Sequence, residues 1–285
     1  MNPSPLRYPG GKYKMYGYIK ELVKNNNANT YIETFCGGSG LALELLLNGD
    51  VKKIILNDYD YSIYCFWYCV LNKPERLTEM IRSTPINLEE WFRQKKVRED
   101  IYDYSIEEVA FSTLYLNRTN RSGIIDKAGP IGGYQQNGNY LIDCRFNKEV
   151  LIKKILIISS KREDIKLFNL EALDFIDEVI KKEKGGFTFF DPPYFEKGKG
   201  LYTNFYSLGD HKSLSSKILK ELKNKKWIVT YDLAPEILEM YRNVESIKFS
   251  LSYTLQAKKK GAEFLFFSKK IKRIDEENHL MLLEG

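Results

Sequence analysis

The pattern of apolar and polar positions predicts an α/β fold. Thr30–Phe35, Lys53–Leu56, Ile165–Phe168, Phe187–Phe190 and Trp227–Asp232 are short apolar or aromatic runs bounded by turn residues. That is the signature of parallel strands buried on both faces. Helical spacing separates them, over Met15–Val23, Leu41–Leu47, Tyr61–Leu71, Lys148–Ile158, a stretch carrying Asp174, and Asp210–Leu222. Two later runs, Val244–Leu251 and Ala262–Phe267, predict an antiparallel pair that closes the sheet.

From Lys73 to about Asn147 the pattern changes. Mostly polar helices (Glu89–Glu99, Ile106–Leu116) lead into a long glycine-rich loop. So long a segment between the second and third strands reads as an insertion into the α/β scaffold. The expected organisation is a core domain from residues 1–60 and 156–285, with an inserted domain over 61–155.

Composition narrows the class. With 285 residues, 43% hydrophobic and 29% charged, the chain is a folded globular protein rather than a disordered one. A net charge of +6 is compatible with a polyanionic partner. No apolar run approaches the roughly 18 residues that span a membrane, and Met1–Tyr16 has no apolar signal core. The expectation is a cytoplasmic protein with no membrane association. Cys36, Cys65, Cys69 and Cys144 lack zinc-type spacing, and only two histidines are present, so no metal site is expected. Cys65 and Cys69 share a helix face as small apolar residues.

Three blocks and one separate acid carry chemistry. The strand Phe187–Phe190 ends in Asp191-Pro192-Pro193-Tyr194. Two prolines donate no N–H and fix φ, so the chain must leave the sheet at its carboxyl edge, where open α/β sheets bind ligands. There a carboxylate, a backbone carbonyl and an aromatic face suit a planar group with an exocyclic NH2, such as adenine. The first strand runs into Cys36-Gly37-Gly38-Ser39-Gly40 and then a helix, the nucleotide-binding unit of a Rossmann-like fold. The second strand ends at Asp58, about 20 residues beyond that turn, where an acid accepts ribose hydroxyls. Near the N-terminus, Arg7-Tyr8-Pro9-Gly10-Gly11-Lys12 is a turn ahead of a helix, with an aromatic face and a cation.

These three blocks, their order and the long gap before Asp191 resemble the Dam-like DNA adenine-N6 methyltransferases, over nearly the whole chain. The resemblance implies a Rossmann-like S-adenosylmethionine (AdoMet) methyltransferase sheet with an inserted helical DNA-recognition domain. It implies methyl transfer from AdoMet to adenine N6 in double-stranded DNA after base flipping. Asp191, Pro192, Pro193 and Tyr194 become the expected catalytic residues. Tyr8, Lys12, Phe35, Gly37, Asp58, Phe168 and Asp191 become the expected cofactor contacts. The residues after Asn117-Arg118 differ from those of the best-known Dam proteins, so the GATC target is not carried over.

The loop Asn117–Gly138 holds two arginines and one lysine against a single acid, Asp126, with Asn and Gln interspersed. Such residues pair with base edges and phosphates. Asn117, Arg118, Asn120, Arg121 and Tyr134 are the expected DNA contacts there. Tyr202, with Phe205, is expected on a flap after the catalytic turn, and Lys258–Lys260 make a solvated turn or a phosphate contact. A monomer is expected, with a cognate restriction endonuclease as a possible partner. Two rival readings keep the same turn chemistry or lose it altogether. One is a methyltransferase on cytosine N4, RNA or a protein amide. The other is a non-catalytic DNA-binding protein. A NAD dehydrogenase is disfavoured, because residues 37–42 lack the Gly-x-Gly-x-x-Gly fingerprint.

Overall fold

The structure is a computed structural model; it describes residues 2–8, 10–196, 206–251 and 261–283. Tyr202, Phe205 and Lys258–Lys260 therefore lie outside the described residues. In chain order the described elements begin with a 3-10 turn (Lys12–Met15), α1 (Tyr16–Asn25), β1 (Thr30–Glu33), α2 (Gly40–Leu47) and β2 (Lys53–Asn57). Next come α3 (Tyr61–Asn72), α4 (Pro74–Ser83), α5 (Leu88–Glu99), α6 (Ile106–Thr119) and α7 (Lys148–Ser159). β3 (Ile165–Phe168), α8 (Ala172–Phe175) with a wide turn (Ile176–Ile180), and β4 (Gly186–Phe190) follow. The chain ends with α9 (Leu208–Glu221), β5 (Lys226–Asp232), α10 (Pro235–Met240), β6 (Glu245–Ser250), β7 (Ala262–Phe267) and β8 (Met281–Leu282).

The chain divides into two compact units. One draws on the N-terminal segment up to Gly11, the turn Gly37–Gly40 and Asp58–Asn169; the other on Lys12–Cys36, Leu41–Asn57 and the chain from Leu170 on.

In the second unit the strands follow the order β2-β1-β4-β5-β7-β6-β8. β2, β1, β4 and β5 are parallel, with Thr30 opposite both Lys53 and Gly186. β7 enters antiparallel between β5 and β6, and puts Glu263 opposite Asp232. The expected terminal pair is thus antiparallel, with the later strand on the inside. β1 and β7 are buried along their whole lengths, with Glu33 and Glu263 as the charged residues among their apolar neighbours. Phe187, Phe190, Tyr31 and Tyr231 fill the core, and Tyr241 stacks on Phe266 at 4.5 Å.

The first unit is mainly helical. Asp60, Asn87, Ser105 and Asn147 cap α3, α5, α6 and α7, each accepting a backbone N–H of the first turn. Ser105 and Glu108 form a reciprocal capping box. α4, opened by Pro74 at its first position, was not separately predicted. One boundary needs correcting. α6 does not stop at Leu116 but runs to Thr119, because no helix breaker intervenes before Asn120. Asn117 and Arg118 are therefore helical residues, not loop residues.

Candidate active site

Asp191 follows directly on β4, where the two prolines end the ladder. Its carboxylate is fixed from two sides. Lys12 Nζ lies 2.8 Å from Oδ1 and 3.0 Å from Oδ2. Thr230, from β5, donates its hydroxyl to Oδ1 at 2.7 Å. The Asp191 side chain keeps 24% of its exposure while that of Lys12 keeps 3%, so the carboxylate is held from within and still reachable.

The network continues inward. Lys12 donates to the Tyr194 hydroxyl at 3.1 Å, and Tyr194 donates to Glu263 Oε1 at 2.8 Å. Glu263 Oε2 lies 3.4 Å from Lys12 Nζ as an ion pair, and has no hydrogen-bond partner among the described residues. Lys12 also sits over the Tyr194 ring, 5.2 Å from its centroid. Burial opposes the Lys12 ammonium, but Asp191, Glu263 and Tyr194 outweigh it and hold the group well above its usual value. Burial pushes the Glu263 carboxyl up; Lys12 pulls it back, Asp191 pushes it up again, and the net direction is upward. Both ends of that pair shift the same way because one ammonium serves two carboxylates and sits closer to Asp191. Burial likewise holds the Tyr194 phenol in its neutral form.

The chain beyond Tyr194 is anchored by Asp232, whose two oxygens accept the N–H groups of Phe195 and Glu196 at 2.9 and 2.8 Å. His211, buried against Tyr231 at 2.9 Å, is kept neutral by its burial. Phe35 is half-buried and meets Tyr206 edge-on at 5.9 Å.

A separate cluster in the other unit surrounds the glycine turn. Gly37 adopts φ +43°, a conformation that favours glycine. A Cβ there would lie 2.7 Å from the Tyr8 ring, and one on Gly38 would lie 2.7 Å from Tyr8 Cβ. The close approach that these glycines permit is thus used by Tyr8. Gly37 N–H donates to Asp58 Oδ2 at 2.8 Å, and Asp60 N–H donates to Oδ1 at 3.0 Å. Trp67 Nε1 donates to the Gly37 carbonyl at 2.8 Å. Phe168 holds the Asp58 backbone N–H at 3.3 Å through its carbonyl. Asp58 is a half-buried residue; desolvation of its carboxyl, with Asp60 beside it, pushes it up to about 7 against the two N–H bonds.

The expected DNA contacts separate into two groups. Asn117 is fully buried: its amide oxygen accepts Arg7 N–H at 2.7 Å, and its nitrogen donates to the carbonyls of Arg7 and Gly123. Arg118 donates through Nε and its guanidinium to the Pro5 carbonyl; burial, and then Arg7, lower it to about 10. Asn120 accepts Trp91 Nε1 at 2.6 Å and donates to the carbonyls of Ile124 and Ile125. These three side chains fasten the N-terminal segment and the loop. Arg121 is exposed, and Tyr134 is 58% exposed, stacked on Phe92, itself 55% exposed, at 6.1 Å. The single acid of the loop, Asp126, accepts two hydrogen bonds from Arg98 at 2.9 and 2.8 Å, which leaves Arg121 and Lys127 as the charges displayed by that stretch.

Residue reasoning missed Glu263, Arg98 and Phe92, whereas Thr230 and Asp232 lie at the end of a strand expected to line the base pocket. A signal existed for one of them: Glu263 is the only charged residue in the apolar run Ala262–Phe267. Among the described residues no group of three or more His, Cys, Asp or Glu could hold a metal, and no helix is long and apolar enough to cross a membrane.

Comparison with known proteins bears directly on this geometry. The type II methyltransferase M.MjaIII of Methanocaldococcus jannaschii is 28% identical over 210 residues, 66% of this chain and 68% of that protein. The modification methylase StsI of Streptococcus sanguinis is 26% identical over 229 residues, 74% of this chain but 32% of that protein. The type II methyltransferase M1.LlaDCHI of Lactococcus lactis subsp. cremoris is 22% identical over 207 residues, 66% of this chain and 64% of that protein. The family model of the D12 class N6 adenine-specific DNA methyltransferases matches residues 8–255, a range that takes in the Tyr8–Lys12 block, the glycine turn and Asp191–Tyr194. The chain therefore belongs to the D12 class of N6 adenine-specific DNA methyltransferases, enzymes that transfer a methyl group to adenine in DNA.

Proposed function

We propose that Asp191 is the group that prepares adenine N6 for methylation, and that the methyl donor is AdoMet. The observation that carries this reading is the Asp191 carboxylate, fixed by Lys12 and Thr230 at the carboxyl end of β4 yet still accessible, with Pro192 next in the chain. When bound, AdoMet supplies an electrophilic methyl group on a sulfonium. The chain has residues suited to such a molecule: an acid with two oxygens, Asp58, and the half-buried aromatics Phe35 and Phe168. In this reading Asp58 accepts the ribose hydroxyls, Gly37 lies at the methionine end, Phe168 borders the adenine ring and Phe35 lies nearby. Tyr8 acts by packing on the glycine turn. Lys12 acts on the Asp191 carboxylate rather than as a cofactor contact.

The N6 lone pair is delocalised into the adenine ring, so nitrogen is a weak nucleophile. Hydrogen bonds from its two protons to the Asp191 carboxylate and the Pro192 carbonyl favour pyramidal nitrogen and aim the lone pair. The remaining work is positioning and stabilisation of the positive charge that develops on N6. The target base must leave the duplex first, at a cost of about a few kcal/mol. Stacking on Tyr194 offsets part of that cost. Arg121 and Lys127 contact phosphate or base edges, and the exposed pair Phe92–Tyr134 packs on DNA. The similarity to type II enzymes supports a restriction endonuclease as a cognate partner, and a cytoplasmic site of action follows from a genomic DNA substrate.

The test is to incubate the purified protein with duplex DNA and methyl-labelled AdoMet, digest the DNA and identify the labelled nucleoside. The proposal expects label in N6-methyladenine with the wild-type protein and none with Asp191→Ala. Equal labelling by that variant would remove Asp191 from the chemistry.

A further inference from the structure

Methylation of N6 releases one proton, and the structure offers a buried route for it. We propose that Glu263 receives, through Lys12 and Tyr194, the proton that adenine N6 gives up to Asp191. The inference rests on the reading of Asp191 given above.

The donors from Lys12 through Tyr194 to Glu263 already point along the route, and the bond from Lys12 to Asp191 reverses once Asp191 carries the proton. Lys12 touches both Asp191 oxygens, at 2.8 and 3.0 Å, and donates to the Tyr194 hydroxyl at 3.1 Å. Tyr194 in turn donates to Glu263 Oε1 at 2.8 Å. The proton arrives on Oε1, while Oε2 has only the Lys12 ion pair at 3.4 Å and no hydrogen bond among the described residues, so the anionic form is poorly compensated. A buried carboxylate whose charge is poorly compensated is costly, and protonation removes the charge.

The step balances as follows. The N6 lone pair forms the N–C bond to the methyl group, and the S–C bond breaks with its electron pair going to sulfur. The N–H pair stays on nitrogen and the proton moves to Asp191. Lys12 gives a proton to Tyr194 as Tyr194 gives its own to Glu263, and the neutral amine so formed takes the proton from Asp191. Lys12 ends as an ammonium and Tyr194 as a neutral phenol, so Asp191 is a carboxylate again and Glu263 a carboxylic acid. Such a store is useful because a bound base and donor exclude water from Asp191 during transfer. Between turnovers the proton leaves by the reverse route, through the partly exposed Asp191.

The surroundings favour this direction. Among the described residues, the charged and titratable groups around Glu263 are Lys12 from the 3-10 turn, Asp191 and Tyr194 from the end of β4, and Asp232 opposite it on β5. Asp232 already accepts two backbone N–H groups, and the β6 residue opposite Glu263 is the apolar Phe249. Burial raises the proton affinity of Glu263. Glu263 touches no reacting atom in this scheme; it acts through Lys12 and Tyr194.

Single-turnover methyl transfer to duplex DNA, measured across pH, tests the relay. Glu263→Gln keeps an oxygen for Tyr194 but cannot take the proton. The relay predicts a rate lower by about a hundredfold at neutral pH, with donor and DNA affinities little changed. It also predicts that the wild-type rate rises with pH as Glu263 ionises, and that this rise is absent in the variant. Tyr194→Phe breaks the same route, so the double variant should fall no more than about twofold below the lower single one. In the resting protein an infrared band of a protonated carboxylic acid should grow as pH falls and be missing from Glu263→Gln. Wild-type rate and pH profile in Glu263→Gln, or multiplicative losses in the double variant, would overturn the relay. If Glu263→Gln does not fold, Tyr194→Phe decides alone: an undiminished rate overturns the relay. An active Asp191→Ala overturns the reading beneath it, whereas an inactive Asp191→Ala beside a fully active Glu263→Gln overturns the relay only.

Discussion

The catalytic turn and the Asn117–Gly138 stretch, the end of α6 and the loop after it, are both rich in polar residues and use them in opposite ways. At the turn, polar side chains are buried and point at one another, and a single carboxylate stays accessible. Along Asn117–Gly138, Asn117, Asn120 and Asp126 are engaged with their own chain, and Arg121, Lys127 and Tyr134 face outward. A cluster joined by short internal bonds is preorganised for chemistry. A loop whose acid is neutralised from behind is left with a net positive face for a polyanion. The contrast shows that residue type alone does not separate a contact from a fastening.

The sharpest way to break this comparison is at Asp191. Asp191→Ala should lower methyl transfer by on the order of a thousandfold, with the folded state intact by circular dichroism. Next comes Asn120→Ala. It strands the Trp91 indole N–H and two loop carbonyls, so denaturant unfolding should show a loss of about 2–3 kcal/mol. A stable Asn120→Ala protein with impaired DNA binding would instead make Asn120 a contact. Arg121→Ala should behave in the converse way. Its melting temperature should not move, while DNA affinity falls by about tenfold. An equal loss on all sequences with a shallower salt slope would assign Arg121 to phosphate, and a loss confined to the target would assign it to a base.

The smallest effect expected is at Asp58. Its carboxyl is pushed up to about 7, so it is protonated below that pH and ionised above it. The ionised form accepts both ribose hydroxyls. The KM for AdoMet should therefore fall as pH rises from about 6 to 8, and Asp58→Asn should abolish that slope while leaving DNA affinity unchanged. A persistent slope in the variant would take Asp58 out of donor binding.

The strands were legible because each is a short apolar run, and the glycine turn because its glycines and the downstream acid have characteristic spacing. The turn at Asp191 was legible because two prolines cannot continue a central strand. The end of α6 was misread, since Asn117 and Arg118 look like loop chemistry until the capping residue is known to be Asn120. Glu263 stands out as the one charge in its apolar run, but its role was out of reach for a different reason. Its role depends on β7 inserting between β5 and β6, a pairing decided by tertiary packing and not by local pattern. Arg98 and Phe92 were hidden likewise, because a helix face shows its partners only once the loop over it is placed.

The most direct test of the central claim is single-molecule sequencing of DNA from a methylation-free host expressing this protein, beside the same host expressing Asp191→Ala. The account predicts N6-methyladenine at one short motif with the wild-type protein and none with the variant. The same adenines modified in both hosts would contradict it.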